Sequence, residues 1–250
     1  MGKKGGLKHL KRYKAPGYWP ISKKAFVWAP RPSPGPHPIA NCIPLLLLIR
    51  DVLGYAHTSR EAKLIISRGA VRVDGRVRRD EGYPVGLMDV VEIPEANIRL
   101  RMVPAPKEVL APVEIDESEA SFKLCKVINK TTLKGGNVQL NLHDGRNVVL
   151  RISDPKNPIE DGYSSRDVIK LSIPDQSILD HFKFEIGSLA IVIDGKNIGA
   201  RGRIASIEPG TALRPAIASL ECEGGAIVRT LADYVFVVGR EAPAIKLYGD

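Results

Sequence analysis

Residues Thr58-Ser-Arg-Glu-Ala-Lys-Leu-Ile65 and, a few positions on, Gly69-Ala-Val-Arg-Val-Asp-Gly75 decide how this 250-residue chain is read. The Thr58 hydroxyl followed three residues later by the Glu61 carboxylate is a capping box, in which each side chain bonds an otherwise unpaired backbone N–H at a helix start. The helix it opens runs over about residues 59–68, with Ala62, Ile65 and Ile66 on one side and Arg60, Lys63 and Ser67 elsewhere. Gly69 supplies the left-handed stop. From Ala70 to Val77 apolar and basic residues alternate about Asp74-Gly75, a dipeptide suited to a tight hairpin turn. Upstream, Pro44 opens a helix whose Leu45, Leu48, Ile49 and Val52 share a face, and Gly54 ends it. A loop to Gly86 and a strand, Asp89–Ile93, close the unit.

Charge is concentrated around this unit and ahead of it. Seven Lys or Arg and two acids lie between Arg60 and Arg79. The guanidinium fork matches phosphate oxygens bidentately, so Thr58, Ser59, Arg60, Lys63, Arg68, Arg72, Arg76, Arg78 and Arg79 are candidate contacts to a polyanion. The bland alternative is a solvated surface. Net charge is +9, yet residues 1–50 hold ten Lys or Arg and no acid, while the remaining 200 hold 27 basic and 28 acidic side chains. The whole excess sits in an N-terminal arm, which points to a polyanionic partner.

That arm carries five prolines between Pro30 and Pro38, which block helix and central strand. It reads as extended, with few apolar groups to bury. Yet Tyr13, Tyr18, Trp19, Phe26 and Trp28 are five of the fourteen aromatics. Aromatics interleaved with cations suit a polypeptide strand lying on RNA, with rings stacked on bases or on the protein body. Packing of the tryptophans on the chain's own domain is the alternative. The candidate RNA contacts here are Lys3, Lys4, Lys8, His9, Lys11, Arg12, Tyr13, Lys14, Trp19, Lys23, Lys24, Trp28 and Arg31.

Beyond residue 96 the pattern is mostly β. Strands are expected at Arg99–Val103, Lys123–Asn129, Val138–Leu142, Asn147–Ile152, Val168–Ile173 and Phe182–Ile186, with a boundary at Pro104-Ala-Pro106 and an acidic loop or short helix from Ala111 to Ala120. In Gly187–Ile207 a strand runs into Asp194-Gly195, and Gly199 and Gly202 follow before the next strand. Each glycine permits positive φ or close backbone approach to a partner. Lys196, Asn197, Arg201 and Arg203 are the candidate contacts of this segment.

Several classes are excluded. The aliphatic run Leu45–Ile49 is far short of the roughly 20 residues of a membrane span, and the N-terminus lacks the apolar stretch of a secretory signal. Cys42, Cys125 and Cys222 form no CxxC pair and are read as reduced thiols. The histidines at 9, 37, 57, 143 and 181 show no metal-ligand spacing. His143-Asp144 are neighbours in a turn, which is not catalytic geometry. Glu114, Asp116, Glu117 and Glu119 read as a solvated acidic loop. Neither GxGxxG nor a P-loop is present. No enzyme activity, cofactor, metal or small-molecule substrate is expected.

Helix, capped helix, glycine and hairpin resemble the S4-type RNA-binding domain, the alpha-L motif. The Gly187–Ile207 pattern resembles a KOW motif, found in SH3-like barrels of ribosomal proteins and elongation factors. Their order along the chain is similar to that of the archaeal and eukaryotic small-subunit ribosomal S4e family. So are Leu7-Lys-His-Leu-Lys-Arg12, Ala15-Pro-Gly-Tyr-Trp19, Ala29-Pro-Arg-Pro-Ser-Pro-Gly-Pro-His37, Tyr83-Pro-Val-Gly-Leu-Met-Asp-Val90, Phe122-Lys-Leu-Cys-Lys-Val127 and Asn197-Ile-Gly-Ala-Arg-Gly202. The end at Leu247-Tyr-Gly-Asp250, without a further basic tail, fits an archaeal form. The resemblance implies an α+β, mostly β fold in four parts: an extended basic arm (1–42), an S4-type domain (43–105), a central β-barrel-like domain (106–180) and a C-terminal SH3-like KOW barrel (181–250). It implies a non-catalytic constituent of cytoplasmic ribosomes whose partners are small-subunit rRNA and neighbouring small-subunit proteins, with no membrane. The rivals are an RNA-modifying enzyme, for which the β modules leave no catalytic domain, and a KOW-bearing transcription or translation factor binding RNA transiently.

Overall fold

In the arm, Leu10–Lys11 (β1) pairs antiparallel with Trp28–Ala29 (β2), setting Leu10 against Ala29 and Lys11 against Trp28. The structure, a computed structural model, describes residues 9–106, 108–154, 159–211, 213–222 and 225–249; Lys3, Lys4 and Lys8 lie outside them. Between β1 and β2 the chain turns Ala15 and Trp19 inward. The Trp19 indole N–H donates to the Cys42 carbonyl at 2.8 Å, and the Tyr18 hydroxyl donates to the same oxygen at 2.7 Å. Ala15, Trp19 and Ala29 share one core with Leu45–Ile49, Ala62, Ile66, Val71 and Val73. This corrects the reading of the arm as having little to bury: one large indole with a satisfied N–H is enough to dock it. The proline-dense stretch is extended but packed. Ser33 N–H donates to the Gly82 carbonyl at 2.7 Å, and His37 is buried.

Cys42–Pro44 (β3) leads into a helix that starts as Leu45–Leu47 (α1) and continues as a π-helical turn, Leu48–Val52. All of Leu45–Ile49 is buried, and not one face only, because arm and helix share that core. Ser59–Arg68 (α2) has the full capping box: Glu61 N–H donates to Thr58 Oγ1 at 3.2 Å, and the Glu61 carboxylate accepts from Thr58 N–H at 3.3 Å. Gly69 caps the other end at φ 82°. Arg72–Val73 (β4) and Arg76–Val77 (β5) flank Asp74 and Gly75, both at positive φ.

Pro84–Gly86 (β6) pairs with β3. Val90–Ile93 (β7), Ile98–Ala105 (β8) and Glu108–Glu114 (β9) complete a sheet ordered β5-β4-β7-β8-β9. The stretch read as an acidic loop or short helix is strand up to Glu114, and then the short helix, Glu117–Ala120 (α3). β8 runs through the expected boundary and offers β9 a ladder, and Leu110 and Ala111 are buried there.

The next sheet is ordered β12-β11-β10-β13-β14 and comprises Phe122–Thr132 (β10), Val138–Leu142 (β11), Asn147–Leu150 (β12), Val168–Ser172 (β13) and Ile178–Phe182 (β14). β14 ends where the sequence reading began it, because Phe184 N–H donates to the Asp167 carboxylate at 2.9 Å instead of to a strand. A final sheet, β18-β17-β16-β15-β19, comprises Leu189–Val192 (β15), Arg201–Glu208 (β16), Ile217–Cys222 (β17), Ile227–Leu231 (β18) and Val235–Gly239 (β19). Strand alternation makes β10 the pivot between these two sheets. Phe122 and Leu124 enter the core of the final sheet, while Cys125 and Val127 enter that of their own.

Candidate nucleic-acid interface

The exposed side of α2 and its hairpin presents arginine without internal partners. Among the described residues, the side chains of Arg60, Arg68, Arg72, Arg76 and Arg79 make no hydrogen bond or ion pair, and all five are exposed. Register explains part of this: across the turn Arg72 faces Val77 and Arg76 faces Val73. Arg72 also lies opposite Glu92 on β7 without pairing to it. Lys63 pairs with Glu81 at 2.9 Å. Arg60, Lys63 and Arg79 line one shallow groove of about 530 Å³. Arg76 and Arg78 line another, of about 480 Å³, and Arg72 lies on a third. Arg78 stacks on Tyr83, its guanidinium carbon 4.4 Å from the ring centre.

The structure sorts the remaining candidates. Lys11, Tyr13, Lys14, Lys23, Lys24 and Trp28 are exposed on the arm, with Arg31 half-buried and His9 against Trp28 at 5.5 Å between ring centres. Two arm candidates are corrected. Trp19 is 3% exposed and belongs to the core. Arg12 is buried, with Nε donating to the Trp28 carbonyl at 3.2 Å and Nη1 to that of Ser22, so its charge braces the arm. Thr58 and Ser59 are also occupied, Thr58 by the capping box and Ser59 Oγ by the Arg50 guanidinium. In the C-terminal sheet Lys196 is exposed and Asn197 half-buried. Arg203 spends its donors on the carbonyls of Gly187, Arg240 and Glu241, and Arg201 is engaged within the chain. Gly199, at φ 79°, does approach another backbone closely, but it is the chain's own: a Cβ there would sit 2.4 Å from the Ala105 carbonyl carbon.

Sequence reasoning missed the feature beneath the hairpin. Lys123 Nζ, with a side chain 1% exposed, lies 2.9 Å from Asp74, 3.1 Å from Asp144 and in contact with Asp89. Arg146 pairs with Asp74 and, at 3.1 Å, with Asp144. His37 Nε2 stands 3.0 and 3.1 Å from the two Asp89 oxygens. Arm, hairpin sheet and β10 sheet therefore meet on one buried ionic hub. Burial alone would neutralise Lys123, but the three carboxylates overcome it and hold the ammonium well above its usual range. Burial likewise works against ionised Asp144, but Lys123, then His143 and Arg146, hold its carboxyl down at about 2. The sequence offered one signal, Asp144-Gly145-Arg146 in a turn. Arg146 reaches the same groove as Arg76 and Arg78.

Cys125, His143 and Asp144 bring potential ligand atoms within 4.8 Å of one another. These atoms are already in use. His143 Nδ1 accepts from Lys126 N–H at 3.2 Å, so Nε2 carries the proton and donates to the Leu87 carbonyl at 3.2 Å. Burial pushes that imidazole down to about 4 and keeps it neutral. Asp144 faces Lys123 and Arg146, and burial pushes the Cys125 thiol well up. Each of the three groups already has a partner within the chain.

Models of known families match three stretches: the RS4NT (NUC023) domain over residues 4–40, the S4 domain over 48–91 and Ribosomal family S4e over 96–178. The chain is 50% identical over 247 residues to "Small ribosomal subunit protein eS4" of Staphylothermus marinus, covering 99% of this chain and 98% of that one. It belongs to the ribosomal S4e family. The eS4 protein of Methanocaldococcus jannaschii is 48% identical over 99% of this chain and 100% of its own. Among solved structures, the 30S ribosomal protein S4e from Thermoplasma acidophilum superposes with a TM-score of 0.65 at 31% identity, covering 80% of this chain and 95% of that one. The S4 match spans α2 and the hairpin, the part of this S4e chain where the unpartnered arginines gather.

Proposed function

We infer that this S4e chain is a structural, non-catalytic constituent of the small ribosomal subunit that binds and stabilises small-subunit rRNA beside neighbouring small-subunit proteins in the cytoplasm. The observation that carries this reading is the set of exposed arginines without internal partners on α2 and its hairpin. A folded chain that leaves five guanidinium groups unpaired on one compact unit is prepared for phosphate. The arm cations Lys11, Lys14, Lys23, Lys24 and Arg31 extend the footprint, and Lys196 and Asn197 add a smaller one. The C-terminal sheet is read as the KOW-type barrel, and the four parts of the chain as modules joined by the hub and by the β8–β9 hairpin.

The test is sedimentation of a lysate through a sucrose gradient, tracking the chain by mass spectrometry. One copy per small subunit, retained through a moderate-salt wash, is the expected result. Recovery mainly at the top of the gradient would sink the reading.

A further inference from the structure

Resting on the rRNA-binding reading above, we propose that the outer face of the β1–β2 ribbon and the start of α2 enclose a site for one unstacked nucleobase of single-stranded RNA. The cleft between them has a volume of about 770 Å³ and is lined by Phe26, Val27, Trp28, Pro30, His57 and Ser59 among others. That size lies in the roughly 300–1,000 Å³ range of small-ligand sites.

The chain has two tryptophans and treats them oppositely. Trp19 is 3% exposed, whereas Trp28 is 55%, Phe26 71% and Val27 64% exposed. Three consecutive large apolar side chains left in water mark a surface that something covers. Charge decides what. The described arm carries no acid, and the carboxylate on the cleft wall, Asp51, is taken by Arg50 at 2.6 Å. Lys11 lies directly across the ribbon from Trp28, and its ammonium has no partner among the described residues. A flat ring beside an unpaired cation answers both halves of a nucleotide, the base by stacking and the phosphate by charge. An acidic protein segment would answer the ammonium and leave the planar faces unmatched.

The rings are also held in advance. The buried Arg12 guanidinium sits 5.1 Å from the centre of the Phe26 ring while donating to the Trp28 carbonyl. The ordering cost is thereby met in folding and not on binding. Arg12 is a positioning residue for the site.

The full chain is titrated with an oligouridine strand and with an RNA hairpin of equal phosphate count at one salt concentration, following tryptophan emission. Oligouridine quenches the unmodified protein. In Trp28→Phe, whose remaining indole is the buried Trp19, the quench disappears while circular dichroism and the thermal midpoint are retained. Trp28→Ala weakens oligouridine binding about tenfold, the order expected for loss of one stacked base, and leaves hairpin affinity within about twofold. Equal losses on both RNAs, or none on oligouridine, overturn the base site and leave the phosphate surface standing. Failure of the unmodified chain to bind either RNA overturns the rRNA reading itself, and the base site with it. If Trp28→Ala binds both RNAs normally but is lost from small subunits in a gradient, a neighbouring protein covers the cleft and the proposal fails.

Discussion

Arginines of the S4 helix–hairpin and of the C-terminal sheet are the same letters put to different uses. On the hairpin, Arg72 and Arg76 face valines across the turn and have no partner among the described residues. On the C-terminal sheet, Arg229 pairs with Glu208, Arg240 reaches Asp180 at 3.7 Å, and Arg203 is spent on three carbonyls. In the hairpin, Arg76 faces a valine and Arg72, although opposite Glu92 on β7, makes no pair with it, whereas strands and loops of the sheet bring acids or carbonyls to the arginines there. A count of cations therefore overstates one interface and says nothing of the other. Availability is set by the pairs the fold makes and not by composition.

The largest way to break this contrast is to remove what the hairpin stands on. Lys123→Met leaves Asp74, Asp89 and Asp144 facing one another in the interior, with Arg146 as the remaining nearby cation, and should cost about 3–5 kcal/mol in urea unfolding. Arg229→Gln, which opens an exposed pair, should cost less than about 1 kcal/mol. Equal costs would show that the hub is not what supports the hairpin.

Acid should loosen the hub side in two stages. His143 is neutral in the fold at about 4, below its ordinary value near 6.5. Between those values the unfolded chain binds the extra proton, so stability is full above about pH 6.5 and falls by about 3 kcal/mol as pH drops to about 4. Asp144, held at about 2, extends the loss from about pH 4 downward. Urea midpoints against pH should show the upper stage in the natural chain and lose it in His143→Gln.

Next in size is the contrast itself. Arg72→Gln with Arg76→Gln should reduce the slope of log affinity against log salt by about 1.5, the sum of two phosphate contacts. Arg203→Gln with Arg229→Gln should leave the slope unchanged in the same filter-binding series. The smallest effect sharpens the boundary of the interface: Thr58→Ala should lower stability by about 1 kcal/mol through the lost cap, with no change in salt slope.

How much of this was legible in the sequence follows the range of the interactions. The capping box, Gly69 and the Asp74-Gly75 turn are settled within a few residues, and each stands where the spacing puts it. Trp19 was misread because the carbonyl that satisfies its indole belongs to Cys42, 23 residues away. The same holds for Arg12, whose acceptors are the carbonyls of Ser22 and Trp28, 10 and 16 residues away, and for Lys123, whose three carboxylates come from two sheets. The strand at Glu108–Glu114 was hidden by acids at its end, since an edge pairing with β8 needs only alternate residues to be apolar.

The contact between His37 and the Asp89–Lys123 pair has a consequence in time. A chain made from its N-terminus exposes His37 long before Lys123 exists. At about 5–20 residues per second, the interval between them is roughly 4 to 17 seconds. Throughout it the arm has its cations and rings but lacks the hub that will anchor its proline-dense stretch. The arm's tryptophan dock on Cys42 is therefore available early, and the brace on its proline-dense stretch only once Lys123 has been made.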